Sequence, residues 1–129
     1  MTPPFTHAHL PDIEDGARQF GLEGQTAHFA AESLALRDTG CTLQRYEPGA
    51  HPGFGHRHFD AEETYVVVRG SGRIKLGDEI IEVRELDAVR VAPEVWRAFS
   101  AGPDGMDVLA FGARHPGDGD VDVNWWPRE

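Results

Sequence analysis

Apolar and polar residues alternate in short runs along most of this chain. No window repeats apolar residues at helical spacing over the roughly 11 residues that a helix prediction requires. Short strands spaced about 8 to 12 residues apart, with glycine in the turns between them, are typical of an antiparallel sandwich or barrel. The pattern therefore predicts an all-β domain. The predicted strands are 34–38, 41–46, 64–69, 73–76, 80–83, 88–92, 96–101 and 106–111.

Segments that contain glycine are predicted to reverse the chain between these strands. We expect tight turns at 70–72, 77–79 and 102–105, because glycine, aspartate, serine and proline favour turn conformations. With turns at these positions, neighbouring strands would form hairpins.

The two ends of the chain differ from this central region. Residues 1–32 are rich in proline and glycine, and we expect an irregular N-terminal arm that packs on the barrel, with one helical turn around 13–20. Residues 33–112 would form the barrel and 113–129 a C-terminal tail. The tail is predicted to be acidic and flexible before Trp125-Trp126, which need a surface to pack on, either the sheet or a neighbouring subunit.

Size and charge exclude several classes of protein. The 129 residues suit one domain that needs neither disulfides nor structural zinc. Lys and Arg number 12 against 22 Asp and Glu, a net charge of -10, which argues against nucleic acid and anionic membranes because binding phosphate requires a basic surface. The single cysteine, Cys41, fits a reducing compartment, and no targeting or membrane segment is evident. We therefore expect a cytoplasmic protein.

Two of the seven histidines supply the candidate chemistry. In a strand, the spacing of His56 and His58 places both imidazoles on one face. Glu62 and Glu63 follow, and Glu63 joins the histidines only if residues 59–61 break the strand, because positions 58 and 63 differ in parity. Two imidazoles and a carboxylate form a triad that binds Fe(II), Mn(II), Ni(II) or Zn(II) and leaves coordination positions open.

The same residues also fit a surface edge strand on which histidines lie beside acids by chance. Spacing alone leaves both interpretations open. His7 and His9 repeat the spacing, but they lie in the proline-rich arm, where we expect them to be solvated.

The segment 48–70 resembles the first conserved motif of the cupin superfamily, whose members are small jelly-roll barrels. That motif is written Gly-x5-His-x-His-x(3,4)-Glu-x6-Gly, and with one extra residue after the first glycine its positions are held by Gly49, His56, His58, Glu63 and Gly70. The gap of six residues before Gly70 selects Glu63 rather than Glu62. The resemblance covers residues 33–112. It implies a cupin-like jelly-roll barrel, also called a double-stranded β-helix, with His56, His58 and Glu63 as metal ligands.

The second cupin motif is matched less well, around residues 86–99. Its first glycine is replaced by Leu86, and after Pro93 we place Arg97 at the position of the histidine that serves as fourth ligand in the family. Arginine is always charged and has no lone pair to give a metal. The site therefore either keeps three ligands or holds no metal.

Arg97 leads to two hypotheses. In the first, His56, His58 and Glu63 bind a divalent ion, and Arg97 orients an anionic substrate through a bidentate contact. In the second, the barrel is metal-free and Arg97 forms a buried salt bridge with Glu63. A cation beside a divalent ion is unfavourable unless an anion lies between them. Compensation of the buried charges therefore decides between the two hypotheses.

The remaining predicted pocket residues are Tyr65, Phe99 and His51. Strand parity places Tyr65 on one face with Glu63, and Phe99 on one face with Arg97. His51 lies in the loop before His56 and is a candidate for the pocket mouth. Core packing is the alternative for the aromatic residues, and a plain loop position is the alternative for His51.

The predicted function is the binding of a small organic molecule, anionic in character, with no catalytic residue assigned. The resemblance implies metal-dependent chemistry such as dioxygenation, isomerisation or decarboxylation if the protein is an enzyme. A non-catalytic, metal-free ligand-binding or sensory protein is the alternative, because this fold hosts many unrelated activities. The resemblance also implies a homodimer formed by exchange of strands or arms.

Overall fold

The computed structural model describes residues 2–128, which form one antiparallel sheet of eight strands and two short 3-10 helices. The helices are Leu10–Asp12 and Ala17–Phe20. The strands are β1 (Gln25–Phe29), β2 (Thr39–Tyr46), β3 (Gly55–Arg57), β4 (Glu63–Leu76), β5 (Glu79–Arg84), β6 (Ala88–Val91), β7 (Arg97–Ala113) and β8 (Asp120–Asp122). The prediction of an all-β domain is confirmed. Neither of the two helices within residues 2–128 is long and apolar enough to cross a membrane.

The sheet curls around its two longest strands, β4 and β7. They pair antiparallel from Glu63 opposite Gly112 to Leu76 opposite Arg97. β7 also pairs with β2 and β3, and β4 also pairs with β5 and β6. The start of β7 pairs with the short strand β3, and the Glu63 side chain at the start of β4 reaches His56 on that strand, so groups from three segments distant in sequence meet there.

Two of the predicted turns are wrong. Segments 70–72 and 102–105 lie inside β4 and β7, where the register between the paired strands shifts instead of reversing. Gly70 has a φ of 77°, and a Cβ there would lie 2.1 Å from the carbonyl oxygen of Gly105. These glycines therefore bend two paired strands where their backbones approach closely. The turn predicted at 77–79 does connect β4 to β5.

The predicted strand at 34–38 is also wrong, because its backbone makes local bonds. The amide of Leu34 donates to the carbonyl of Ala30, and the amide of Leu36 donates to that of Ala31. Backbone hydrogen bonds between residues four or five positions apart are typical of helical turns, not of paired β-strands. The helical turn expected around 13–20 is present as the 3-10 helix Ala17–Phe20.

The N-terminal arm contains a strand that the sequence pattern did not predict. β1 pairs with β2 along its whole length. The Asp15 carboxylate accepts hydrogen bonds from the amides of Ala17 and Ala27, both at 2.8 Å, and so joins the arm to β1. The boundary between arm and barrel at residue 33 stays a prediction.

The C-terminal tail is held against the sheet instead of being free. β8 pairs with β3, placing Val121 opposite His56. Trp126 is 3% exposed, and its amide donates to the carbonyl of Gly53 at 2.7 Å. Trp125 stacks on Trp96 with ring centroids 6.3 Å apart. Of the two surfaces considered for these tryptophans, the chain's own sheet is the one they cover.

The core fills the inside of the curled sheet. Tyr65 and Val67 are both 1% exposed, and the predicted parity of β4 therefore holds for the residues that follow Glu63. Other fully buried members of this cluster are Ile74, Met106 and Val108.

Replacing Gly70 with alanine tests whether the close approach of β4 to β7 fixes the bend. We expect Gly70→Ala to lower the free energy of unfolding by about 2 to 4 kcal/mol, since it adds overpacking to the cost of a left-handed backbone. Gly77→Ala is the matched control, because Gly77 has a φ of 58° but nothing within 4 Å of the added Cβ. It should cost about 1 to 2 kcal/mol. Equal losses in denaturant unfolding would show that backbone contact at Gly70 contributes nothing.

Candidate metal centre

The fold brings the two histidines, Glu63 and Arg97 to one place. His56 lies on β3 directly opposite Arg97, the first residue of β7. Glu63 is the first residue of β4. His58 follows the end of β3, and its amide donates to the carbonyl of Pro93 at 2.7 Å. The chain leaves strand conformation between β3 and β4, and this is the break that Glu63 requires to join the histidines.

One oxygen of Glu63 is the point on which this group converges. Its Oε1 lies 3.5 Å from Nε2 of His56 and 3.4 Å from Nε2 of His58. The candidate ligand atoms of the three residues all lie within 4.8 Å of one another. Two ligands bound to one ion at about 2.1 Å lie roughly 3 to 3.5 Å apart, so the separations to Oε1 suit neighbouring ligands of a single ion.

The hydrogen bonding of His58 fits a metal ligand. Its Nδ1–H donates to the backbone carbonyl of Asp118. Its Nε2 is buried and has no hydrogen-bond partner within residues 2–128. A neutral imidazole that donates from Nδ1 carries its lone pair on Nε2, which here points toward Glu63. A divalent ion would satisfy this atom.

Arg97 is fully buried beside Glu63. Its Nη1 donates to the carbonyls of Pro93 and Val95 at 3.1 and 2.7 Å. Its Nη2 lies 3.6 Å from Oε1 of Glu63, and the Arg97 side chain has 0% exposure. Nε and Nη2 find no hydrogen-bond acceptor in the described part of the chain. The guanidinium thus holds a positive charge and two unused donors at the back of the site.

The surroundings shift the pKa values of the three candidate ligands in different directions and for different reasons. Burial would raise the pKa of Glu63, but the imidazoles of His56 and His58 outweigh it and hold that pKa well below its usual 4.5. Burial lowers the pKa of His56, whereas the carboxylate of Glu63 raises the pKa of His58. An ionised carboxylate between two imidazoles is a donor set that suits a divalent cation.

The other predicted pocket residues lie in different surroundings. The Tyr65 hydroxyl donates to Oε1 of Glu63 and lies 3.2 Å from Nε2 of His56. Phe99 packs edge-on against Tyr65 with ring centroids 5.0 Å apart, inside the core. His51 bonds through Nδ1 to the Ser100 hydroxyl and through Nε2 to the Trp126 carbonyl, both at 2.9 Å. Both ring nitrogens of His51 therefore already have protein partners.

The space beside the candidate ligands is small. A cavity of about 110 Å³ is bordered by His58, Glu63 and His115, and one of about 30 Å³ is bordered by His56 and Phe99. Two open grooves of about 590 and 560 Å³ lie on other parts of the surface, and His51 borders the smaller of them. The small cavities are the relevant space, because they border His56, His58 and Glu63, whereas the two grooves border none of these residues.

The sequence pattern missed one residue of the site, Asp118. Its carboxylate accepts hydrogen bonds from the amides of Phe59, Asp60 and Ala61, the residues that connect His58 to Glu63. No side-chain motif marks it, because the partners of its carboxylate are backbone amides 57 to 59 residues away in sequence.

Comparison with known proteins gives matches in structure only. No protein-family model and no curated protein matches the chain. A cupin protein from Bacteroides fragilis is 23% identical with a TM-score of 0.70, over 89% of this chain and 88% of that one. A sugar phosphate isomerase of the cupin superfamily from Silicibacter pomeroyi is 21% identical with a TM-score of 0.70, over 85% and 76%. A polyketide cyclase from Streptomyces resistomycificus is 19% identical with a TM-score of 0.72, over 93% and 89%.

Replacing Glu63 with glutamine tests whether its charge stabilises the metal-free site. Because the pKa of Glu63 is depressed, ionised Glu63 stabilises the fold above its usual 4.5, and this stabilisation is lost as pH falls through the folded pKa. In the presence of chelator at pH 7, Glu63→Gln should lower the free energy of unfolding by about 3 kcal/mol, because it leaves Arg97 buried without a counter-charge. The deficit should narrow below pH 4.5.

The matched control is Glu62→Gln. Glu62 pairs with Arg90 at 3.2 Å, but both side chains are more than half exposed, so the change should cost no more than about 1 kcal/mol. Denaturant unfolding at several pH values measures both variants. A deficit for Glu63→Gln that does not depend on pH would contradict the assigned role of its charge.

Proposed function

Since this chain has the cupin fold, as its first motif predicted, we propose that it binds a divalent metal ion through His56, His58 and Glu63 and a small anionic organic molecule beside it. The fold itself does not select an activity, because known proteins with it include an isomerase and a cyclase. The proposal therefore depends on the residues of the site.

The observation that carries the proposal is the unpartnered Nε2 of His58. It is buried, it has no hydrogen-bond partner among residues 2–128, and it lies 3.4 Å from Oε1 of Glu63. A buried polar atom without a partner costs roughly 1 to 3 kcal/mol. Coordination of an ion shared with His56 and Glu63 would remove that cost.

Charge compensation supports an anionic ligand. A divalent ion, Arg97 and a single carboxylate leave the pocket with an excess of positive charge. In a poorly solvated site such an excess attracts an anion. Arg97 also keeps Nε and Nη2 free of acceptors among residues 2–128, and so retains donors for a carboxylate or similar group.

The cavity beside His58 and Glu63 limits the size of this ligand. Its volume of about 110 Å³ is well below the roughly 300 to 1,000 Å³ of pockets for drug-sized molecules. We therefore propose a substrate of few heavy atoms. When bound, the ion would act as a Lewis acid toward such a substrate. Dioxygenation and isomerisation are the proposed reaction types, with Arg97 fixing the orientation of the anion.

The alternative function is a metal-free ligand-binding or sensory protein. The separation of 3.6 Å between Arg97 and Glu63 and the complete burial of Arg97 favour it, because this pair already balances the charge of the site. Under this alternative the histidines would serve as hydrogen-bond partners of Glu63.

A cytoplasmic location and a homodimer complete the proposal. The lone Cys41 supports a reducing compartment. In the described chain β5 pairs only with β4 and exposes part of Ile80 and Ile81, at 43% and 38%. An open strand edge with apolar side chains is a surface on which a second copy would pair.

Alanine substitution of the histidines tests the metal site. Freshly purified protein should contain a divalent metal by elemental analysis, and after chelation it should gain thermal stability when Fe(II), Mn(II), Ni(II) or Zn(II) is added. His56→Ala and His58→Ala should each weaken metal binding by more than about 100-fold, beyond the loss typical of residues outside the coordination sphere.

The double variant His7→Ala/His9→Ala is the control, because it removes an exposed pair with the same spacing. It should bind metal as the unaltered protein does. Absence of metal and of any thermal shift in the unaltered protein would reject the metal hypothesis in favour of the alternative.

Replacing Arg97 with glutamine tests the anion site. Binding of small carboxylates of two to four carbons to the metal-loaded protein, followed by calorimetry, should weaken by about 10-fold or more, the value of a charged hydrogen bond. Metal affinity should rise, because a neighbouring positive charge is removed. Arg90→Gln, at an exposed ion pair, should change neither affinity. Unchanged carboxylate binding in Arg97→Gln would remove Arg97 from the ligand site.

A further inference from the structure

We propose that Asp118 is a positioning residue that holds His58 and the loop 59–61 in the geometry required for metal binding. This inference rests on the proposed metal site. It assigns a part of that site to the C-terminal segment 117–122, here called the strap, which lies outside both sequence motifs.

The side chain of Asp118 organises the loop between two candidate ligands. Oδ1 accepts from the amides of Phe59 and Asp60 at 2.7 and 3.0 Å, and Oδ2 accepts from the amide of Ala61 at 2.9 Å. The carboxylate side chain is 6% exposed. Since the loop has no strand or helix of its own, these bonds replace a regular backbone pattern.

The backbone of Asp118 orients one of those ligands. Its carbonyl accepts the hydrogen bond from Nδ1 of His58, so in the neutral ring the lone pair is on Nε2. Partners of this kind fix the tautomer and ring angle of metal-binding histidines. A single residue thereby sets both the nitrogen that His58 offers to a metal and the path of the chain from His58 to Glu63.

Contacts of residues 120–122 hold the C-terminal half of the strap in place. β8 pairs with β3 across three residues, and His56 is opposite Val121. Asp120 binds the guanidinium of Arg57, which lies between the two histidines, at 2.9 and 3.1 Å. Asp118 is therefore positioned by the same strand that carries His56.

The physical consequence is preorganisation of the ligands. Without the Asp118 carboxylate, three amides lose their acceptor and the loop must be ordered when metal binds. The ordering cost then reduces affinity, although all three ligands are still present.

The test compares Asp118→Ala and Asp118→Asn with the unaltered full chain. Each protein is stripped of metal with chelator and titrated with Co(II), whose visible absorption reports both the dissociation constant and the ligand geometry. Asp118→Ala should raise the dissociation constant about 10- to 100-fold and shift the absorption bands. Asp118→Asn should fall between, since its amide oxygen still accepts from Phe59 and Asp60 but not from Ala61.

The matched control is Asp122→Ala, which removes an exposed carboxylate from the same strap whose contact is the local amide of Asn124. It should bind Co(II) as the unaltered chain does. If Asp118→Ala does not fold, the Co(II) dissociation constant of Asp118→Asn still tests the proposal. It should lie between the constants of the unaltered chain and of His58→Ala.

Three outcomes overturn the proposal. Failure of the unaltered chain to bind Co(II), Zn(II) or Ni(II) rejects the metal site and this role together. Binding by the unaltered chain with equal dissociation constants and bands in Asp118→Ala rejects this role alone. Equal losses in Asp118→Ala and Asp118→Asn would assign the effect to the negative charge rather than to the hydrogen bonds.

Discussion

A partly buried carboxylate that must be neutralised is the constraint on which the rest of this site depends. Oε1 of Glu63 is faced by two imidazoles, the Tyr65 hydroxyl and the Arg97 guanidinium. Placing an ionised group among apolar strands is costly unless it is paired and hydrogen-bonded. The start of β4, the start of β7 and the short strand β3 each supply part of that pairing. The electrostatic requirement of one oxygen thus links three segments of the sheet.

Arg97 gives this arrangement two uses. With Glu63 it forms a charge-balanced pair, and next to a bound ion it would be an excess positive charge that favours an anion. His56, His58, Glu63 and Arg97 would therefore form either a metal-free binding cavity or a metal site that selects anionic ligands. Which of these two forms prevails would depend on the affinities for the metal and for the anion, because each bound ion compensates the charge of the other.

The sequence predicted the centre of the site better than its surroundings. The spacing of His56 and His58, the break before Glu63 and the parity of β4 are local properties, and each is present in the structure. Segments 70–72 and 102–105 were mistaken for turns because a glycine that reverses a chain and one that bends it have the same local pattern. Only the approach of Gly70 to Gly105 distinguishes them. Asp118 could not be predicted, because its partners are backbone amides distant in sequence.

The pairing of β3 with β8 also determines when the site is assembled during synthesis. β3 pairs with β7 at a single residue but with β8 at three. The strand that carries His56 is therefore held mainly by β8, a segment distant from it in sequence. Proteins are synthesised from the N-terminus, and contacts of large sequence separation form late. The nascent chain therefore presents both histidines long before residues 117–122 exist to orient them. An ion at this site would therefore meet its fully oriented ligands only after β8 has paired with β3.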